Sequence, residues 1–194
     1  MSTVDNILFL GVGGQGILLA SEITAYALLE TGVDVKKSEV HGMAQRGGLV
    51  VAHLRYGARV YSPVISPGEA DIAVAFEKME AVRYLHYYHP DTRVIVNTHQ
   101  ILPPIVAAGK MAYPENIVEE LITRQLAVTT LNAFEVARAV GEIRCVSIVM
   151  VGVLSTMLPV VEEVFLEVMR KRIPQRFLEV NLKAFAEGRK LGGE

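Results

Sequence analysis

Phe9-Leu10-Gly11-Val12-Gly13-Gly14-Gln15-Gly16-Ile17-Leu18 joins a short apolar run to a glycine-dense turn and then to a second apolar stretch. Residues 7–10 are nearly all apolar, which predicts a strand covered on both faces, as in a parallel sheet flanked by helices. Gly11, Gly13, Gly14 and Gly16 permit a tight turn with positive φ and let the backbone approach whatever lies above the helix beginning near residue 16. Free N–H groups and the positive end of that helix dipole converge on one spot, where an anion can sit. Gly11, Gly13 and Gly16 also fit the spacing G-x-G-x-x-G of a dinucleotide fingerprint, and Glu39 stands about where such a fingerprint wants an acid for the ribose hydroxyls. Two readings stay open. The turn binds a nucleotide or phosphate, or its glycines only let the first helix pack closely on the sheet.

Outward from this turn, the spacing predicts a helix over 16–30, closed by Gly32 as a left-handed cap, and a second strand over 33–40. A strand-helix-strand unit implies a right-handed crossover and parallel pairing of its two strands. His41-Gly42-Met43-Ala44-Gln45-Arg46-Gly47-Gly48 follows without periodicity and reads as a shaped loop at the same sheet edge. Arg46 has the chemistry to clamp a carboxylate or phosphate; alternatively it pairs with Glu39 or Glu69 and pins the loop.

Runs at 49–56 and 59–64, separated by Gly57-Ala58, predict a hairpin in which His53 and Arg55 make one face polar. Further strands are expected over 71–76, 93–97 and 127–131, and helices over 77–88, 114–124 and 133–140, the last capped by Asn132. Residues 98–114 read as an irregular loop, long enough that it should work or dock. The remainder is helical, over 146–158, 161–172 and 175–191, with Pro159 and Pro174 as separators. The expected architecture is α/β: a single domain over 1–194 with a Rossmann-like, mostly parallel sheet, flanking helices, a β-hairpin insertion and a helical C-terminal part.

Composition narrows the function. About half of the 194 residues (51%) are hydrophobic and 21% are charged, so part of the apolar excess is expected on a surface that meets a partner. A net charge of −2 gives no reason to invoke nucleic acid or an anionic membrane. Cys145 is the only cysteine, which rules out an internal disulfide, suits a reducing cytoplasm, and leaves no cysteine set for an iron–sulfur cluster or zinc. The uncharged stretch 145–161 is short for a membrane span and reads as a buried helix, and the N-terminus has no signal-peptide pattern. His86 and His89 lie three apart but lack a third ligand, so no metal is expected. No G-x-S-x-G, Walker-type loop or H-E-x-x-H occurs, and no catalytic residue is assigned. A glycine turn and an Arg/His loop on a very apolar domain without a reactive centre describe a subunit.

Gly11-Val12-Gly13-Gly14-Gln15-Gly16, Glu39-Val40-His41-Gly42-Met43-Ala44-Gln45-Arg46-Gly47-Gly48, Tyr61-Ser62-Pro63, Gly68-Glu69-Ala70-Asp71 and Phe76-Glu77-Lys78-Met79-Glu80-Ala81 together resemble the gamma-type subunits of 2-oxoacid:ferredoxin oxidoreductases, nearest the small subunits of the indolepyruvate type. The resemblance implies a complex that decarboxylates a 2-oxo acid on thiamine diphosphate, passes electrons through iron–sulfur clusters to ferredoxin, and transfers the acyl group to coenzyme A. It implies that thiamine and clusters belong to a large partner subunit and that this chain carries neither. By the same resemblance Gly11, Gly13, Gly14, Gln15, Gly16, Glu39, His41, Gly42, Gln45, Arg46, Gly47 and Gly48 face the partner or the coenzyme A route. Ser147 stands where the resemblance leads one to expect Asn, and Ser caps a helix nearly as well. A free-standing NAD- or FAD-binding oxidoreductase is the alternative reading, and a purely structural module a third.

Overall fold

The structure, a computed structural model, describes residues 4–42, 48–102 and 104–193. Its sheet has the order β2-β3-β1-β4-β5-β6, from β1 (Val4–Val12), β2 (Asp34–His41), β3 (Leu49–Gly57), β4 (Ala70–Ala75), β5 (Tyr88–Asn97) and β6 (Ala127–Leu131). β1, β4, β5 and β6 run parallel in sequence across the sheet, while β3 pairs antiparallel with both β1 and β2. The mostly parallel sheet expected from residues 7–10 is present, and those residues are fully buried.

The expected pairing of the first two strands is corrected. β3 lies between them, in register from Val4 opposite Gly57 to Val12 opposite Leu49. The reason is compositional. β3 buries residues on both its faces, including Val51, Ala52, His53 and Leu54, and so fits an interior place. β2 carries Asp34, Lys36, Lys37, Ser38 and Glu39, and such a strand belongs at an edge where charge meets water and discourages further pairing.

The hairpin insertion is therefore β2–β3, and the strand expected over 59–64 does not form. Side chains take up the backbone there instead. Asp34 accepts from Val60 N–H (2.8 Å), Arg55 donates to the carbonyls of Ser62 (3.3 Å) and Val64 (3.1 Å), and His53 Nδ1 accepts from Ile65 N–H (3.2 Å). Pro63 has no N–H to give a ladder, so this substitution is the cheaper way to satisfy the segment.

Helices cover both faces. α1 (Ile17–Leu29), α5 (Ala133–Ala139), α6 (Val146–Ser155), α7 (Glu162–Arg172) and α8 (Gln175–Gly192) share one apolar core, while α2 (Lys78–Arg83) and α4 (Ile117–Thr123) pack on the other. The helix expected over 77–88 is shorter: α2 ends at Arg83 with Tyr84 as its C-cap, a 3-10 turn spans Leu85–Tyr87, and β5 already begins at Tyr88. The stretch 98–114 holds a short helix, α3 (Pro104–Ala107), and α4 starts after Asn116 rather than at Pro114. Asn132 caps α5 as expected, its side chain accepting from Glu135 N–H (3.2 Å), an interaction worth about 1 kcal/mol.

The uncharged stretch after Cys145 becomes α6, buried from Ser147 to Ser155. Its backbone touches that of α8. A Cβ at Gly152 would meet the Phe185 carbonyl, and one at Gly188 the Val149 carbonyl, closer than any real contact. No helix is long and apolar enough to cross a membrane among the described residues.

Candidate functional site

The carboxyl ends of β1 and β4 form the site's floor, because α1 leaves β1 toward one face of the sheet and α2 leaves β4 toward the other. Such a switch point opens a crevice where doubly wound sheets hold ligands. Here Gln15 closes part of it. Its Oε1 accepts from Val12 N–H (2.8 Å) and its Nε2 donates to the Phe76 carbonyl (2.7 Å), tying the glycine turn to the end of β4. The two bonds stabilise the turn by roughly 0.5–1.5 kcal/mol each.

Two of the glycines are dictated by close contact. A Cβ on Gly11 would lie 2.6 Å from Gln15 Oε1 and 2.7 Å from Ile17 Cδ1; on Gly16, at φ +76°, it would lie 2.7 Å from Ser147 Oγ. Gly14, at φ +98°, has nothing within 4 Å of its virtual Cβ and faces open space. Gly13 N–H donates to the Gly48 carbonyl (2.9 Å), and Gly42 N–H to Leu49 (2.7 Å), so the turn and the ends of the second loop do meet. Gln45, Arg46 and Gly47 lie outside the described residues, as does the His41 side chain. Glu39 sits on β2 opposite Ala52, itself opposite Phe9, which places it two strand spacings, about 10 Å, from β1. Its carboxylate is 2.6 Å from Lys37 Nζ.

Beside the turn a cavity of about 190 Å³ is lined by Gly14, Gln15, Asn97, His99, Phe134 and Arg144. Asn97 organises its back. Nδ2 donates to the Phe76 carbonyl (3.1 Å), and Oδ1 accepts from the N–H groups of Ala133 (3.0 Å) and His99 (3.3 Å). The His99 ring stacks on Phe134 at 4.3 Å between centroids and 9° between planes. α1 starts at this edge without a capping side chain and without an acid in its first turn. α6 instead continues from a 3-10 turn (Ile143–Cys145) whose start Glu142 caps through Arg144 N–H (3.1 Å), and the same carboxylate pairs with the Arg144 guanidinium. The arrangement offers N–H donors and a guanidinium to an anion and a flat aromatic face to a planar group.

On the far side of Phe76, Glu77 is 2% exposed, caps α2 through Met79 N–H (2.8 Å), and accepts a hydrogen bond from Tyr113 O–H. Burial, then this bond, pushes the Tyr113 phenol far up. Glu80, also buried, has its carboxyl raised by desolvation despite Arg83 at 3.1 Å. The one thiol, Cys145, is pushed up to about 11 by burial and then by Glu142, which keeps it a poor nucleophile and ligand near neutrality. Among the described residues no group of three or more His, Cys, Asp or Glu could hold a metal ion. His86 packs on Tyr87 at 4.4 Å, and His89 Nε2 lies 3.5 Å from Asp71.

Sequence reasoning missed Asn97, His99, Phe134 and Arg144. The available signal was Asn97, a polar residue closing an apolar strand at its carboxyl end, where parallel sheets keep their sites.

A family model described as pyruvate ferredoxin/flavodoxin oxidoreductase matches residues 6–191. The chain is 41% identical over 187 residues to the indolepyruvate oxidoreductase subunit IorB of Archaeoglobus fulgidus, covering 94% of this chain and 92% of that one. It superposes on the gamma subunit of the keto/oxoacid ferredoxin oxidoreductase of Geobacter sulfurreducens with a TM-score of 0.71 at 24% identity, covering 97% and 98% of the two chains. It also superposes on 2-oxoglutarate:ferredoxin oxidoreductase of Magnetococcus marinus, a structure with 2-oxoglutarate, coenzyme A and succinyl-CoA bound, with a TM-score of 0.78 at 19% identity; all of this chain matches 32% of that one. At these identities the two structures show a shared fold.

Proposed function

Because the chain belongs to the pyruvate ferredoxin/flavodoxin oxidoreductase family, we propose that it is the small, gamma-type subunit of a cytoplasmic complex that oxidatively decarboxylates 2-oxo acids to acyl-CoA with reduction of ferredoxin. Aryl pyruvates such as indolepyruvate are the proposed substrates. The observation that carries this reading is the 41% identity to an indolepyruvate oxidoreductase subunit across nearly the whole of both chains.

Thiamine diphosphate and iron–sulfur clusters do not fit this chain. One buried cysteine with a raised thiol cannot ligate a cluster. These groups are assigned to a large partner subunit, where thiamine supplies the carbanion chemistry of decarboxylation.

Coenzyme A does fit the edge beside the glycine turn. The open side of Gly14, the uncapped start of α1 and Arg144 would hold its phosphates, and the His99–Phe134 stack offers its adenine a flat surface. In this reading Gly11, Gly13, Gly14, Gln15 and Gly16 fix the turn, and Glu39 and His41 on β2, with Gly42, Gln45, Arg46, Gly47 and Gly48 after it, face the partner or the coenzyme. Gln15 holds the turn against the end of β4 through Val12 N–H and the Phe76 carbonyl; Asn97 keeps His99 in place. The chain's part is to bind and orient, without proton transfer of its own.

Co-expression with and without the large subunit tests the reading. Indolepyruvate-dependent reduction of a viologen dye, with coenzyme A present, is expected from the pair only. Arg46→Ala is expected to raise the KM for coenzyme A in the assembled complex. An inactive pair, together with stoichiometric NAD or FAD binding by the lone chain, would overturn it in favour of a dinucleotide enzyme.

A further inference from the structure

A second cavity, of about 210 Å³, opens on the helical face between α1, the 3-10 turn Ile143–Cys145 and the junction of α7 with α8. Leu19, Cys145, Ile173, Pro174 and Phe177 give it an apolar body. Its mouth is cationic. Arg144 and Arg172 line it, and Arg176 lies over the Phe177 ring at 4.6 Å.

The nearby acids do not cancel these charges. Glu142 is held by Arg144 through a 2.9 Å bond to Nε and a second bond to the guanidinium, so one carboxylate accounts for one arginine. Glu22 is 3.6 Å from Arg172, whose guanidinium otherwise lies 3.4 Å over the Tyr26 ring. Arg176 makes no ion pair among the described residues but does not line the cavity, whose lining holds two guanidinium groups, Arg144 and Arg172, against one carboxylate, Glu142, beside the Phe177 ring, over which Arg144 lies at 5.1 Å.

We infer that this cavity is a binding site for a small carboxylate with an aromatic or branched apolar body: the body lies against Phe177, Leu19 and Ile173, and the carboxylate meets Arg172 at the mouth. The size supports a compact ligand, since the cavity is below the ~300–1,000 Å³ of sites that take drug-sized molecules. The chemistry supports a carboxylate because a planar guanidinium pairs with it through two parallel hydrogen bonds, while the apolar walls reject a bare inorganic anion. Arg144 lines both this cavity and the one beside the glycine turn, so a ligand that shifts Arg144 reaches the proposed coenzyme edge as well. That consequence, unlike the binding site itself, rests on the function proposed above.

The chain has no tryptophan, so an indole ligand can be followed by its own fluorescence. Indole-3-acetate titrated with the full chain is expected to saturate at one site. Phe177→Ala and Arg172→Gln should each weaken it at least ~10-fold, the scale of one lost charge-assisted contact, whereas His99→Ala at the edge pocket should leave it unchanged. Arg172 is surface-exposed, so its variant keeps the test valid if Phe177→Ala misfolds. Inorganic phosphate should not compete. Absence of saturation, binding that survives both variants, or binding lost only in His99→Ala each overturn the inference. Binding with the expected variant pattern in a chain whose assembled complex is inactive would sink the proposed function and leave this site standing; an active complex without binding would do the reverse.

Discussion

Replacing Gly16 by Ala should destabilise the chain through two separable effects. Gly16 has φ +76°, and an L residue in that left-handed region costs about 1–2 kcal/mol. The new methyl would also lie 2.7 Å from Ser147 Oγ and 2.8 Å from Ser147 Cβ, on a helix buried on every side, where overpacking costs about 1–3 kcal/mol. Together that is about 2–5 kcal/mol, or a fall in Tm of about 5–20 °C for a chain of this size. Urea unfolding followed by far-ultraviolet circular dichroism measures it, and a double-mutant cycle separates the parts. In a Ser147→Gly background the steric share, about 1–3 kcal/mol, should vanish while the backbone share persists. Ser147→Ala alone should be neutral or stabilising by about 1 kcal/mol, because the hydroxyl it deletes is buried with no hydrogen-bond partner among the described residues. A Gly16→Ala variant within about 1 kcal/mol of the parent, or one equally destabilised with and without Ser147, would refute the argument.

Gly188→Ala should be more damaging, at roughly 3 kcal/mol or above, since its methyl meets the Val149 backbone and cannot be relieved by a rotamer; the same unfolding assay reads it. Burial pushes the His53 imidazole below its usual 6.5, and the neutral ring accepts from Ile65 N–H through Nδ1. The unfolded chain therefore takes up the proton first, so urea midpoints should be flat above pH 6.5 and decline as pH falls through the depressed folded value. His53→Phe should abolish that decline while costing about 1–3 kcal/mol at pH 7 for the orphaned N–H. Glu80 runs the other way. Its raised carboxyl means the folded chain holds the proton more tightly, so its contribution is full below pH 4.5 and is lost as pH rises through the folded value. Glu80→Gln should accordingly raise Tm at pH 7 and leave it unchanged near pH 4; an unchanged Tm at pH 7 would contradict the buried assignment.

Signals carried within a few residues were legible in the sequence. The apolar run of β1, the glycine turn into α1, Asn132 as a cap and the uncharged stretch of α6 each depend on neighbours along the chain. Strand order was not, because alternation and apolarity state how many faces a strand buries but not which partner it takes. β2 and β3 differ in charge, and that difference would have placed one at the edge and the other inside. The segment after β3 kept a strand-like pattern in its residues, yet His53, Arg55 and Asp34 claim its backbone from positions up to 26 residues away. At the site the glycines announced themselves, whereas the filling of the crevice by Gln15 and the contact of Gly16 with Ser147 exist only in the folded chain. The cavity beside them draws Asn97, His99, Phe134 and Arg144 from separate segments, and no spacing rule joins those.

The position of β1 between β3 and β4 sets an order of events during synthesis. Both neighbours are encoded later, and the nearer one, β3, is complete only at Gly57, 45 residues after Val12 (57 minus 12). At roughly 5–20 residues per second the ribosome leaves the apolar run 7–10 of this strand without a partner for about 2–9 s. During that interval the nascent chain is an aggregation hazard, and α1 alone cannot cover it. Slowing translation across 13–57 should lower the soluble yield, whereas slowing it after residue 75, once β4 is made, should not.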